Sequence, residues 1–217
     1  MYRTIFFDLD GTLTNPGTGI TNSVAYALEK MGIRTTDRKA LYRFIGPPLN
    51  DAFETFYGFS PEECRRAIAY YREYFRDRGI FENTPYDGIS ELLQSLKNNG
   101  KQLVVATSKP ELFAVRILEH FDLDRYFDFV AGATMDSSRS KKAEVLRYAL
   151  DRCAGAELST SVMVGDREHD IQGAKAVGMD AIGVLYGYGS ERELRAAGAA
   201  HLARDAKEIA ALIFQNV

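Results

Sequence analysis

Two carboxylates stand two residues apart in Asp8-Leu9-Asp10-Gly11-Thr12-Leu13-Thr14, directly after a short apolar run. Side chains two apart share a face while a strand stays regular. Here the strand is ending, and Gly11 allows the chain to turn sharply. Binding crevices of open parallel sheets lie at the carboxyl ends of strands, so Asp8 and Asp10 are expected to crowd into such a crevice. Burying both without compensation is costly. A divalent cation with oxygen ligands, magnesium by preference, is the natural compensation. A turn or capping role for one of the pair is the plainer alternative.

A second acidic group, Gly165-Asp166-Arg167-Glu168-His169-Asp170, also follows an apolar run. Asp166 is expected at the strand end, able to complete a metal site with Asp8 and Asp10. Asp170 lies about one helical turn further on and can support that site from behind. Thr107-Ser108-Lys109-Pro110 ends another apolar run. Its hydroxyls and free amides at a helix start suit an anion, or else Thr107 or Ser108 simply caps that helix. Lys141-Lys142 precedes an amphipathic stretch. A lysine at a helix start is poorly placed for the helix dipole, so it is either a surface residue or the neighbour of something anionic.

The elements that must position these residues can be read from periodicity. Apolar, β-rich runs occur at 4–9 (TIFFDL), 102–107 (QLVVAT), 127–131 (FDFVA), 161–164 (SVMV) and 181–185 (AIGVL). Such continuous runs suit strands buried on both faces. Helical spacing appears over 88–98, 111–121 and 142–153 between them. Strand and helix alternate, which predicts an α/β fold: a Rossmann-like parallel sheet core with helices on both faces. From 16 to 82 no strand is apparent, and helical patterns run over 20–31, 37–44, 49–57 and 61–78. The last opens with Ser60-Pro61-Glu62-Glu63, a capping box with proline in the first turn. A small all-helical cap domain, 16–82, is therefore expected as an insert after the first strand. The core is expected from 1–15 and 83–217, with hinges near 15–19 and 82–87 where Pro, Gly and Asn collect.

Composition narrows the partners. Among 217 residues, 27 Lys and Arg against 30 Asp and Glu give a formal net charge of -3, so no broad nucleic-acid surface and no polymer partner are expected. The first apolar run is too short for a signal peptide or membrane span. Cys64 and Cys153 form no CxxC pair and suit a reducing compartment as buried thiols. A cytoplasmic protein with no membrane contact, monomeric or homodimeric, is the expectation.

Taken in order along the chain, DLDGT, TSKP, the lysine pair and GDREHD resemble the four motifs of haloacid dehalogenase-superfamily phosphatases, in the branch that includes phosphoglycolate phosphatases. The likeness covers core and insert alike. It implies that Asp8 is the nucleophile that becomes an aspartyl phosphate. It implies that Asp10 is the acid/base and also holds Mg2+ through its backbone carbonyl. Thr107 then binds the transferring phosphoryl group, Ser108 adds to that site, and Lys142 (rather than Lys141) neutralises charge. Asp166 ligates the metal and Asp170 supports it. The insert matches a substrate-selecting cap. In it Phe44-Ile45-Gly46-Pro47-Pro48-Leu49 is the candidate substrate loop, with Gly46 and the preceding Arg43 as candidate contacts and an ordinary turn as the alternative.

Two departures from the family pattern stand out. Ala143 follows Lys142 where proline is common. Gly165 precedes Asp166 where related sugar-phosphate mutases often carry Glu, which argues against a mutase. The implied activity is hydrolysis of a small phosphorylated metabolite, with phosphoglycolate, a nucleoside monophosphate or pyrophosphate as candidates. A β-phosphoglucomutase-like isomerase and an inactive binding module are the alternatives. His169 is read as a surface residue, with a place at the site entrance as the alternative; the 186–190 loop (YGYGS) is either a flexible rim of the site or a plain glycine turn; and the aromatic stripe Tyr70, Tyr71, Tyr74 and Phe75 is read as packing.

Overall fold

The structure, a computed structural model, describes residues 1–215. Its main sheet has six strands in the order β5-β4-β1-β6-β7-β8. These are β1 (Thr4–Phe7), β4 (Gln102–Pro110), β5 (Phe129–Ala133), β6 (Ser161–Gly165), β7 (Asp180–Val184) and β8 (His201–Ala203). All neighbours pair in parallel. The four residues of β1 are all buried, as a central strand covered on both faces requires. The sheet is flanked by helices, so the α/β expectation holds. The strand β8 was not anticipated, because three residues with only partial burial leave almost no periodic signal.

Register decides the site. Phe7 lies level with Val105 on β4 and with Val164 on β6. Asp8 and Asp166 follow the ends of β1 and β6, and Thr107 stands within β4 two residues beyond Val105, so all three lie toward the same edge of the sheet.

Helices α6 (Lys142–Arg152) and α7 (Glu168–Val177) cover one face. Val145, Leu146, Ala149, Ile171 and Ala174 pack there on Phe6, Val104 and Met163. Helix α4 (Ile89–Asn98) buries Ile89, Leu92, Leu93 and Leu96, the spacing of three and four of an amphipathic helix. It packs on β4 and on α9 (Ala206–Phe214), while α5 (Glu111–His120) packs on β4 and β5. A short α8 (Glu191–Ala197) follows β7.

The chain divides into two compact units, 1–14 with 85–217 and, separately, 15–84. Two-residue strands β2 (Thr14–Asn15) and β3 (Thr84–Pro85) pair where the chain passes between them. The 15–84 unit holds α1 (Gly17–Lys30), α2 (Leu49–Tyr57) and α3 (Pro61–Phe75), with 3-10 turns at Lys39–Phe44 and Gly79–Phe81. The 37–44 segment is thus a tighter turn than the α-helix expected. Helix α3 stops short of 78 because the chain turns there and sets Gly79 directly against Gly19 and Ser23 of α1. The Ser60–Glu63 capping box forms in full. Tyr71 and Phe75 are buried and stack at 5.3 Å. Both cysteines are buried thiols, and no helix among the described residues is long and apolar enough to cross a membrane.

Candidate active site

Strand β1 gives way to a turn immediately after Phe7. The Asp8 amide still bonds the Val164 carbonyl at 2.9 Å. Then the Leu9 carbonyl accepts the amides of Leu13 and Thr14 at 2.9 and 3.0 Å. Gly11 has φ +88, a left-handed conformation that favours glycine. A Cβ there would also collide with the Asp166 carboxylate. Gly11 therefore serves both the turn and the close approach of the two acidic segments.

Lys142 opens α6 and is 6% exposed. Its ammonium donates to Asp8 Oδ1 at 2.7 Å and to the Ala106 carbonyl at 2.8 Å, and it pairs with Asp170 Oδ1 at 2.8 Å. Burial works against this charge, but the Asp170 and Asp8 carboxylates outweigh it and raise the Lys142 pKa. The anionic neighbour expected for a lysine at this helix start is thus two aspartates. Lys141 is exposed, and its amide and that of Ser140 are capped by Glu144 Oε2, each at 3.1 Å.

Asp8, Asp166 and Asp170 are all buried, and one carboxylate oxygen of each falls within 4.8 Å of the others. Asp170 therefore stands in the cluster itself as well as behind it, where its Oδ2 accepts the Arg167 amide at 3.1 Å. Asp166 Oδ2 accepts the Tyr188 amide at 2.8 Å, whereas its Oδ1 is buried with no hydrogen-bond partner. Burial, then the charges of Asp170 and Asp8, push the Asp166 pKa well up. Burial likewise raises that of Asp170, against the pull of Lys142. Such a set is under strong pressure to take up positive charge. Its donors are all oxygen, which fits a hard divalent cation, and the unpartnered Asp166 Oδ1 is where a ligand atom is left over.

Asp10 has a lysine of its own. Its Oδ2 pairs with the Lys109 ammonium, both side chains being buried, and its Oδ1 has no partner. Burial raises the Asp10 pKa, opposed by Lys109. Lys109 was quoted within TSKP but not singled out. β4 runs on to Pro110 with a break in register between Ala106 and Pro110, and Thr107 and Lys109 are both buried there. Neither Thr107 nor Ser108 caps a helix, since α5 begins at Glu111 behind Pro110 with no side-chain cap. Thr107 is buried, and its Oγ1 accepts the Lys109 amide at 3.2 Å. Ser108 is half-buried.

The structure thus brings together Asp8, Lys142, Asp166 and Asp170, and joins Asp10 to Lys109. Arg43 and Gly46 belong to the 15–84 unit. There the exposed Arg43 lays its guanidinium over the rings of Phe56 and Tyr57, at 4.4 and 5.4 Å, and Gly46 has φ 107. His169 is half-buried beside the cluster segment.

Residues 5–184 match the family described as haloacid dehalogenase-like hydrolase. The 5'-nucleotidase of Pseudomonas aeruginosa is 47% identical over 204 residues, covering 94% of this chain and 92% of its own. Tyrosine-protein kinase PtkA of Mycobacterium tuberculosis is 41% identical over 186 residues, 85% of this chain and 62% of its own length. The solved structure of a predicted phosphatase from Clostridium acetobutylicum superposes with a TM-score of 0.96 at 46% identity, covering 98% of each chain. With residues 5–184 matched and a relative 47% identical over most of its length, the chain belongs to the haloacid dehalogenase-like hydrolases, as a phosphatase acting on phosphoric monoesters.

Proposed function

We propose that this protein hydrolyses a small phosphorylated metabolite, foremost a nucleoside monophosphate, through a phosphoryl group carried on Asp8. The observation that carries the reading is the Lys142 ammonium held 2.7 Å from Asp8 and 2.8 Å from Asp170 beside an unpartnered, buried Asp166 oxygen. Phosphoryl transfer needs positioning and charge neutralisation above all. This arrangement offers both, among side chains that are themselves buried. The choice of a nucleotide rests on the 47% identical 5'-nucleotidase. A phosphoglycolate-like substrate is the second candidate, after the phosphoglycolate phosphatase 1 of Pseudomonas aeruginosa, 28% identical over 200 residues.

In the first step a carboxylate oxygen of Asp8 forms a bond to phosphorus while the bond from phosphorus to the ester oxygen breaks. Asp10 gives a proton to the departing oxygen; its burial-raised pKa suits that role. In the second step Asp10 takes a proton from water, whose oxygen attacks phosphorus and releases Asp8. Thr107 and Ser108 bind the phosphoryl oxygens, and Lys142 offsets their charge. Mg2+ held by Asp8, Asp166, Asp170 and the Asp10 carbonyl would supply further positive charge at the phosphoryl group. Arg43 and Gly46 are assigned to substrate selection, and the reaction to the cytoplasm, with the protein a monomer or homodimer.

The test is phosphate release from a panel of nucleoside monophosphates, phosphoglycolate, pyrophosphate and sugar phosphates, with Mg2+ and with chelator. Mg2+-dependent release led by nucleoside monophosphates supports the reading. Isomerisation of a sugar phosphate without net release would overturn it.

A further inference from the structure

The 186–190 loop (YGYGS), which follows β7, touches both acidic segments of the site. On one side the Tyr186 hydroxyl donates to the Thr12 carbonyl at 2.8 Å. That carbonyl belongs to the turn on which Asp8 and Asp10 ride. On the other side the Tyr188 amide donates to Asp166 Oδ2 at 2.8 Å. The loop is therefore a strap between the first and last motifs, which are more than 150 positions apart in sequence.

Its glycines make the approach possible. A Cβ on Gly187 would stand 2.6 Å from Asp166 Oδ2 and closer still to Asp166 Cβ and the Gly11 carbonyl. A Cβ on Gly189 would overlap the Asp166 carbonyl. Carbon and oxygen are in contact near 3.5 Å, so any side chain at either position must push Asp166 or the loop away. One feature holds the strap from outside, and another holds the acidic segment that it meets. Tyr86 packs its ring 4.7 Å from that of Tyr186. Beyond the loop, Glu193 Oε1 accepts the Glu168 amide at 3.0 Å and the Arg167 Nε at 2.8 Å.

The consequence lies in which oxygen of Asp166 is used. The Tyr188 amide occupies Oδ2 and fixes the carboxylate rotation. Oδ1, buried and without a hydrogen-bond partner, is then the oxygen the strap does not engage. Partners of this outer kind, which orient a metal-ligating carboxylate, typically govern metal affinity by about 10–100-fold.

We propose that the 186–189 loop is the element that sets Asp166 for cation binding, with Gly187, Gly189 and the Tyr188 amide as positioning groups and Tyr186 as their anchor to the Asp8 turn. The ligand class is a hard divalent cation, and the proposal rests on the metal reading given above. The effect of these groups is on how readily the cation is held.

The experiment is titration calorimetry of Mg2+, with Mn2+ as a second probe, into the full chain and into the Gly187→Ala and Tyr186→Phe variants. Each protein is first melted in chelator to establish folding. Gly187→Ala is expected to weaken Mg2+ binding at least tenfold, and Tyr186→Phe about threefold. In the phosphatase assay both should raise the Mg2+ concentration for half-maximal rate, while kcat at saturating Mg2+ stays within about threefold of the parent. A merely structural defect would lower the chelator melting temperature without that split. If Gly187→Ala does not fold, Tyr186→Phe decides alone, since it removes one hydroxyl and keeps the ring. Parent-like Mg2+ affinity in a folded variant overturns the strap. Failure of the parent itself to bind Mg2+ or Mn2+ overturns the metal reading, and the strap with it.

Discussion

The Lys109 ammonium is paired with Asp10 Oδ2, 99 positions away in sequence and buried on both sides. The other oxygen of Asp10 is buried and has no hydrogen-bond partner. Removing one member of a buried ion pair strands the other charge, at a cost of about 3–5 kcal/mol. Lys109→Met is therefore expected to destabilise the protein by about 3 kcal/mol or more, read by chemical denaturation. Adding Asp10→Asn to that variant should restore much of the loss. Additive losses in the double variant would show that the pair carries no such coupling.

Asp8→Asn should abolish phosphate release. The amide cannot attack phosphorus, and the substitution also strips Lys142 of one of its two carboxylates. A folded Asp8→Asn protein that still turns over would refute the nucleophile. Asp10→Asn should bind substrate yet fail in both steps, with kcat down by about 10²–10⁴-fold, the usual worth of a positioned acid/base.

Cation binding should stabilise the fold as well as switch on activity. The carboxylates of Asp8, Asp166 and Asp170 are buried together, and a ligand that binds only the folded state adds about 2.7 kcal/mol at a hundredfold excess over its Kd. Differential scanning calorimetry should show the melting temperature rising with Mg2+ and falling with chelator. No movement in either direction would count against a cation in this cluster.

Glu193 offers a pH-dependent contribution outside the reacting groups. Burial pushes its pKa up, but the Glu168 amide and Arg167 outweigh burial and leave it below the ordinary 4.5. A carboxylate with a depressed folded pKa contributes stability above the ordinary glutamate range and loses it as pH falls through the folded value. Glu193→Gln should therefore be less stable than the parent at about pH 7, with the gap closing toward about pH 3. Denaturation at the two pH values checks this, and a gap independent of pH would assign the effect to packing.

The Ser60 cap is a local matter. Ser60→Ala loses the bond from the Glu63 amide to Ser60 Oγ, 3.3 Å long, and should cost about 1 kcal/mol. Hydrogen exchange should localise that cost to the first turn of α3, leaving β1 and β6 unaffected.

Much was legible in the sequence because it was local. The apolar runs of β1, β4 and β6, the i, i+3, i+4 spacing of α4 and the Ser60–Glu63 box each follow from neighbours within a few positions. Motif order gave the kinship, since four short strings in sequence carry more information than any one of them. The strand β8 and the tight turn at Lys39–Phe44 were not legible, because a three-residue strand and a six-residue 3-10 turn are too short for periodicity to show.

By itself, then, the sequence determined which residue types stand at which strand ends: Asp8 after β1, Thr107 in β4, Asp166 after β6, Lys142 at the start of α6. Tertiary structure alone decided which of them meet. The level of Phe7 with Val105 and Val164 places the strand ends side by side. The burial of Lys142 then selects Asp8 and Asp170 as its partners, and Lys109 claims Asp10. The Tyr188 amide takes one oxygen of Asp166 and leaves the other unpaired. Such choices depend on distances between segments far apart in the chain and on the cost of burying an unpaired charge, neither of which a string of residues records.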